Sequence, residues 1–209
     1  MPYAYNNTAQ RWFDTASGKF VSESAVVDEM RLHQQATYNV LDNATRQLYA
    51  GQLSLEQWQL VVAAELKDAH LAQAMFAVGG KRNMTAENWG RVGGVLADEY
   101  RYLSQFAIDI QNGYSEAQAL ARIKQYGNAT QASYWREYKL VTKTQIWWTL
   151  GTTEKHCGEC PKLAAASPYK PDELNQVPGD GNTPCRGNCD CTLSRAEFMQ
   201  PVATEPRPE

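Results

Sequence analysis

The chain of 209 residues carries its five cysteines in one short window: residues 157–160 read CGEC, and residues 185–191 read CRGNCDC. Two thiolates with Cys-x2-Cys spacing can bind the same tetrahedral ion from a tight turn, and a second cluster about two dozen residues later completes a four-ligand site. This pattern predicts a structural site for one Zn2+ ion. Its ligands are expected to be four of Cys157, Cys160, Cys185, Cys189 and Cys191.

The residues around these cysteines favour a metal for a second reason. From 152 to 195 the chain has few apolar side chains and many Gly, Pro, Asn and Asp residues. A segment this small and polar does not bury enough surface to order itself, whereas structural zinc contributes about 10–16 kcal/mol in small modules. Cys157 and Cys160 are the firmest ligands, two of the other three cysteines complete the site, and His156 is an alternative ligand.

Two other uses of the cysteines are disfavoured. An odd number of cysteines and the lack of a signal peptide argue against a disulfide module. A Cys-x2-Cys redox centre would need a surrounding βαβ pattern, which is missing.

A catalytic zinc ion would need an open position and a general base, for which only Glu154 and Glu159 are near in sequence. A closed cysteine shell is expected instead, so the sequence predicts no enzyme, no catalytic residues and no small-molecule substrate.

The region before the cysteines shows helical periodicity. The expected helices run from about 24 to 50, from a capping box at Ser54–Gln57 to Gly79, from near Thr85 to Asn112, and from a capping box at Ser115–Gln118 to about Thr142. Ile146 to Leu150 should form a strand that leads into the cysteines. The sequence thus predicts a mainly α fold with about four helices, a small zinc-stabilised β-hairpin or knuckle, and a flexible C-terminal tail.

Four segments follow from this organisation. Residues 1–23 form an N-terminal arm, either extended or folded as a short hairpin. Residues 24–143 form the helical domain, residues 144–195 the zinc-binding module, and residues 196–209 a tail with three prolines that is expected to be disordered. Adjacent Trp147 and Trp148 should point to opposite faces of their strand, one towards the helices and the other towards the zinc module.

The charge balance limits the partners. The net charge is −3 and the sequence pI is about 5.7, which does not suit a general nucleic-acid or membrane binder. Residues 115–143 hold five Lys or Arg against two Glu, a local surplus that is best explained as a solvated face. Neither a signal peptide nor an apolar stretch of membrane-spanning length is found, so the chain is expected to fold in a reducing cytoplasm without membrane contact.

Other residues that suggest chemistry have simpler explanations. His33 and His70 lie in separate helices without a partner at ligand spacing, which is typical of helix-surface or interface residues. Residues 90–94 read GRVGG, but they lie in a helical pattern with no preceding strand. Close helix packing is therefore a better interpretation of these glycines than a nucleotide-binding loop.

The run WTLGTTEKHCGECPKLA at 148–164, together with PCRGNCDCTL at 184–193, resembles the C-terminal signature of tailed-phage minor head proteins, also called the head-morphogenesis or Mu F-like family. That signature has a tryptophan strand, a Cys-x2-Cys pair, a Pro/Gly loop and a Cys-x-Cys before a short hydrophobic strand. The resemblance covers residues 147–195, about a quarter of the chain. One common form of the signature places a His where Cys185 falls here.

The resemblance implies a minor capsid protein that acts in head morphogenesis through protein–protein contacts. Its expected partners are the phage portal and the major capsid protein, with packaged DNA a weaker candidate. Its expected location is the virion head, and the host cytoplasm during assembly. A zinc-ribbon nucleic-acid-binding protein is the alternative, although the cysteine module carries no surplus of positive charge. A zinc hydrolase is the third and weakest interpretation.

Overall fold

The computed structural model describes residues 2–6, 8–9 and 11–195 and is mainly helical, as expected. The predicted tail, 196–209, lies outside the described residues. No described helix combines the length and the apolar character that crossing a bilayer requires. The strands and helices are β1 (Tyr3–Asn6), β2 (Arg11–Asp14), β3 (Phe20–Val21), α1 (Glu23–Tyr49), α2 (Leu55–Val78), α3 (Ala86–Gln111), α4 (Glu116–Ala129), α5 (Gln131–Val141), β4 (Ile146–Thr149), α6 (Cys160–Ala165) and β5 (Thr192–Arg195).

Local capping chemistry fixes where the helices begin. Both predicted capping boxes are present, at Ser54 with Gln57 and at Ser115 with Gln118. In each box the serine side chain accepts a backbone N–H while the glutamine side chain accepts the N–H of the serine. The helix starts at 55 and 116 therefore follow directly from sequence.

The expected fourth helix is in fact two helices, which corrects the prediction of one helix from Ser115 to Thr142. The chain bends at Thr130, whose hydroxyl donates to the Gly127 carbonyl at a distance of 2.8 Å. Residues 131–135, directly after the bend, are all buried. Because α5 is enclosed on almost every side, it lacks the polar stripe that would have distinguished it from α4 in the sequence.

Two large hydrophobic clusters form most of the core of the described residues. The first cluster lies among α1, α2, α3 and α4 and includes the fully buried Trp58, Leu66 and Phe106. The second cluster joins Trp12 of β2, Trp135 of α5 and residues of the cysteine region. The N-terminal segment is a three-stranded antiparallel sheet in the order β1-β2-β3. Of the two forms expected for it, an extended arm or a short hairpin, the hairpin is therefore closer to the observed structure. The segments that were predicted as an arm, a helical body and a zinc module therefore all contribute residues to this second cluster.

The glycines at 90, 93 and 94 do not pack closely, which makes that prediction wrong. A side chain at any of them would meet open space in the described part of the chain. The buried face of α3 instead runs through Val92, Leu96 and Leu103, whereas Trp89 is 39% exposed. The neighbouring Asn88 is buried, where its amide donates to the carboxylate of Glu137.

His70 is a buried residue between α2 and α5, with 1% of its surface exposed and its Nδ1 at 2.8 Å from the Ser133 hydroxyl. Burial, with a smaller contribution from the Arg136 charge, lowers the pKa of His70 to about 4. Between pH 6.5 and 4 the unfolded chain therefore binds a proton at this site that the folded chain does not. The contribution of neutral His70 to the free energy of unfolding is therefore fully present above pH 6.5 and is lost as the pH falls towards 4.

We expect the free energy of unfolding of the native chain to lose about 2 kcal/mol more between pH 7 and pH 5 than that of a His70→Gln variant. Urea titrations at the two pH values measure this difference. Equal pH dependence in the native chain and His70→Gln would contradict the burial of a neutral imidazole.

Candidate metal centre

Each cysteine is placed by a short regular element. β4 pairs antiparallel with β5, with Trp148 opposite Leu193, and Cys191 directly precedes β5. Cys160 is the first residue of α6, so Cys157 lies on the turn before that helix. Cys185 and Cys189 flank a 3-10 turn at Arg186–Asn188. The hairpin, the short helix and the turn therefore bring two sequence-distant cysteine groups together.

The 3-10 turn is held against the helical body. A side chain on Gly187 would approach the Gln125 carbonyl of α4 to 2.8 Å, so only glycine allows this contact without a shift. The Gln131 amide of α5 donates to the carbonyl of Gly187 at 3.2 Å and to that of Cys189 at 2.7 Å. The cysteine loop is thus fixed to both α4 and α5 through backbone groups.

The sulfur atoms lie at distances that suit a metal ion. The Cys160 Sγ is 3.2 Å from that of Cys157 and 3.8 Å from those of Cys185 and Cys189. A tetrahedral site with Zn–S bonds of about 2.3 Å has sulfur–sulfur edges of about 3.8 Å. Two of the three measured edges match that value, and no disulfide joins the five cysteines. The cysteines are therefore positioned to hold a metal ion.

The five sulfurs form two groups of three. Cys157, Cys160 and Cys185 form one group, and Cys160, Cys189 and Cys191 form the other, with the sulfurs of each group within 4.8 Å of one another. Cys160 belongs to both. Among the described residues no larger group of metal-ligating side chains meets this distance. All five predicted ligands are thus brought together, whereas the alternative ligand His156 and the carboxylates of Glu154 and Glu159 belong to neither group.

Hydrogen bonds within the cluster make some sulfurs easier to ionise than others. Burial opposes ionisation of Cys157, but the Cys160 and Glu159 N–H groups outweigh it and lower the pKa of Cys157 to about 7. The Cys189 thiol, helped by the Gly151 N–H and opposed by burial, lowers the pKa of Cys191 to about 5. The thiols of Cys157 and Cys191 therefore ionise more readily than an ordinary cysteine, and the thiolate is the form that binds metals.

The sulfurs of Cys160 and Cys189 behave in the opposite way. Burial raises the pKa of the Cys160 thiol, and its contacts with neighbouring sulfurs raise it further. The hydrogen bond to Cys191, followed by burial, raises the pKa of the Cys189 thiol. A metal ion would replace the shared protons and stabilise all the sulfurs as thiolates, so binding of a metal would release protons.

Two residues support the cluster from outside it. The indole N–H of Trp148 is buried without a hydrogen-bond partner in the described part of the chain, and it helps to lower the pKa of Cys191. Gln131 lies on the buried helix α5, where nothing in the local sequence marks its contact with the cysteine loop. Outer-shell donors of this kind orient and stabilise metal ligands.

Comparison of the chain with protein-family models, with curated proteins and with solved structures returned no match. Its function must therefore be argued from its own residues, of which the five clustered cysteines offer the most specific chemistry.

Proposed function

We propose that this chain is a minor head protein of a tailed bacteriophage, with a structural role in head assembly through contacts with the portal or the major capsid protein. The observation that carries the proposal is the convergence of the cysteines that give the resemblance to that family. In the family signature the same tryptophan strand, Cys-x2-Cys pair and Cys-x-Cys pair occur in the same order. Here they come together in one unit with the β4–β5 hairpin.

Within this proposal the bound ion is Zn2+. Thiolate sulfur selects soft ions such as zinc and Cu+, and in a structural role zinc contributes folding energy without redox chemistry. The residues fit such an ion in donor type, in sulfur–sulfur distance and in the hydrogen-bond donors that favour thiolates. The ion would keep the hairpin and the 3-10 turn in one arrangement, so that the surface around them stays rigid when it docks on a partner.

Surface residues agree with a role in protein–protein contact. Three large apolar side chains of α3 are exposed: Trp89 by 39%, Tyr102 by 54% and Ile108 by 47%. Tryptophan and tyrosine are enriched where proteins meet. These residues lie away from the cysteine cluster in sequence and give the helical body apolar surface that a partner can cover.

The proposal is tested by quantitative mass spectrometry of mature particles and empty precursor particles of the phage that encodes this chain. A few to tens of copies in both kinds of particle would support a minor structural protein. Presence in precursors alone would limit the role to assembly. Absence from both would overturn the proposal.

The zinc-ribbon alternative makes a different prediction for the purified full chain. Real phosphate contacts would make the affinity for DNA fall steeply with salt, with a log–log slope close to the number of phosphates neutralised. The head-protein proposal expects no such slope at physiological ionic strength. A steep slope in a chain that is also missing from particles would favour the nucleic-acid alternative.

A further inference from the structure

The arrangement of the five sulfurs does not match a single tetrahedral ion. Such an ion needs four sulfurs that are all mutual neighbours, with six edges of about 3.8 Å. Only groups of three satisfy mutual proximity here, and they share one sulfur, that of Cys160. The cluster therefore has the form of two triangles that meet at a corner.

We propose that the centre holds two soft metal ions, one in each triangle, bridged by the Cys160 thiolate. The inference rests on the proposed assignment of the cysteines as metal ligands and extends it to a second ion. The chemical class is a thiolate-preferring ion, Zn2+ or Cu+. Each thiol loses its proton when it binds, and Cys160 donates one lone pair to each ion.

The size of the triangles agrees with this. The centre of a triangle of sulfurs with edges of about 3.8 Å lies about 2.2 Å from each corner, close to the Zn–S bond length. The Cys160 sulfur lies 3.8 Å from that of Cys185 and 3.2 Å from that of Cys157 in the first triangle, and 3.8 Å from that of Cys189 in the second. One ion can therefore lie in each triangle if the sulfurs of Cys157 and Cys160 move apart by a few tenths of an ångström.

The two triangles differ in their surroundings. In the first, Cys157 and Cys185 are half-buried, so solvent can supply a fourth ligand to a zinc ion. The Thr183 hydroxyl lies 3.1 Å from the Cys185 sulfur on the same side. This triangle suits Zn2+, which is usually four-coordinate.

In the second triangle all three cysteines are buried, with 1%, 4% and 3% of their surfaces exposed at Cys160, Cys189 and Cys191. A buried set of three thiolates suits an ion that accepts low coordination, which Cu+ does and Zn2+ does less readily. The second ion also removes the cost of leaving buried sulfur charge uncompensated.

The test is the metal content of the full-length chain. The protein is stripped of metal under reducing conditions, reconstituted in separate samples with excess Zn2+ and with excess Cu+, desalted and weighed by native mass spectrometry. Two ions per chain is the expected result with Cu+, which accepts three sulfur ligands in both triangles, and Zn2+ should fill at least the first triangle. At most one ion per chain with both metals would overturn the inference and leave the single-ion metal centre standing, whereas no bound ion would also remove the metal assignment.

Variants locate the ions. Cys185→Ser and Cys191→Ser each disturb one triangle and should each reduce the content from two ions to one, whereas Cys160→Ser should lower it further than either. A single-ion site predicts instead that the native chain and every variant hold at most one ion. If a variant fails to fold, the ratio measured for the native chain decides the question by itself.

Discussion

Cys160→Ser should cause the largest loss of stability of any single substitution in this chain. Cys160 is 1% exposed and belongs to both sulfur groups, so its removal takes a ligand from every metal arrangement that the cluster allows. Structural zinc contributes about 10–16 kcal/mol to the folding of small modules. The loss should be smaller here, because the hydrophobic core around the cysteines can still pack without the ion. We expect a loss on the order of 5 kcal/mol or more, seen as a fall of at least about 10 °C in Tm.

The measurement is thermal unfolding of the native chain and the variant, each with added zinc and with chelator. Ala132→Ser is the matched control, because it places the same hydroxyl in the same hydrophobic cluster, at a residue 3% exposed, without touching a sulfur. The control should lose some stability but keep its response to chelator. Cys160→Ser should lose the response itself. A variant with native Tm and a native response to chelator would contradict the role given to Cys160.

Trp148→Ala should destabilise the chain by about 3–5 kcal/mol, the usual cost of truncating a buried tryptophan. Trp148 is 2% exposed and packs in the cluster that contains Trp135 and Leu193. Its loss opens a cavity between the β4–β5 hairpin and α5 and also removes the indole N–H that faces Cys191. The variant should therefore bind metal more weakly as well as unfold more easily.

Trp147→Ala is the control for this experiment, since Trp147 is the neighbouring residue of the same strand and is only half-buried. Successive strand residues face opposite sides, so this truncation leaves the shared core intact. Urea unfolding gives the free energies, and competition with a zinc indicator gives the metal affinities. Equal losses in the two variants would mean that Trp148 has no special part in joining the hairpin to the helical body.

The starts of α2 and α4 could be predicted from sequence because capping is local. Ser54 with Gln57 and Ser115 with Gln118 satisfy backbone N–H groups within four residues, so no distant contact is needed to fix them. The cysteine cluster could be predicted for a related reason. Cysteine is chemically distinct, and the spacing of cysteines that bind one metal ion is constrained by the geometry of that ion.

Features set by distant contacts could not be predicted in this way. The bend at Thr130 exists because α5 enters a core formed by segments that are distant in sequence, such as the loop that accepts hydrogen bonds from Gln131. The open surroundings of Gly93 follow from the rotation of α3 about its axis, which is decided by its packing on α2. The division of five sulfurs into two groups likewise depends on how the 3-10 turn docks on α4.

The central claim is that a metal ion in the cysteine centre holds the β4–β5 hairpin on the helical body. Amide hydrogen exchange of the full chain, recorded with metal bound and after chelation, tests it most directly. Chelation should remove protection from residues 146–149, 160–165 and 192–195 while α2 and α3, packed around Trp58 and Phe106, stay protected. Unchanged protection of the hairpin after complete removal of the metal would contradict the claim.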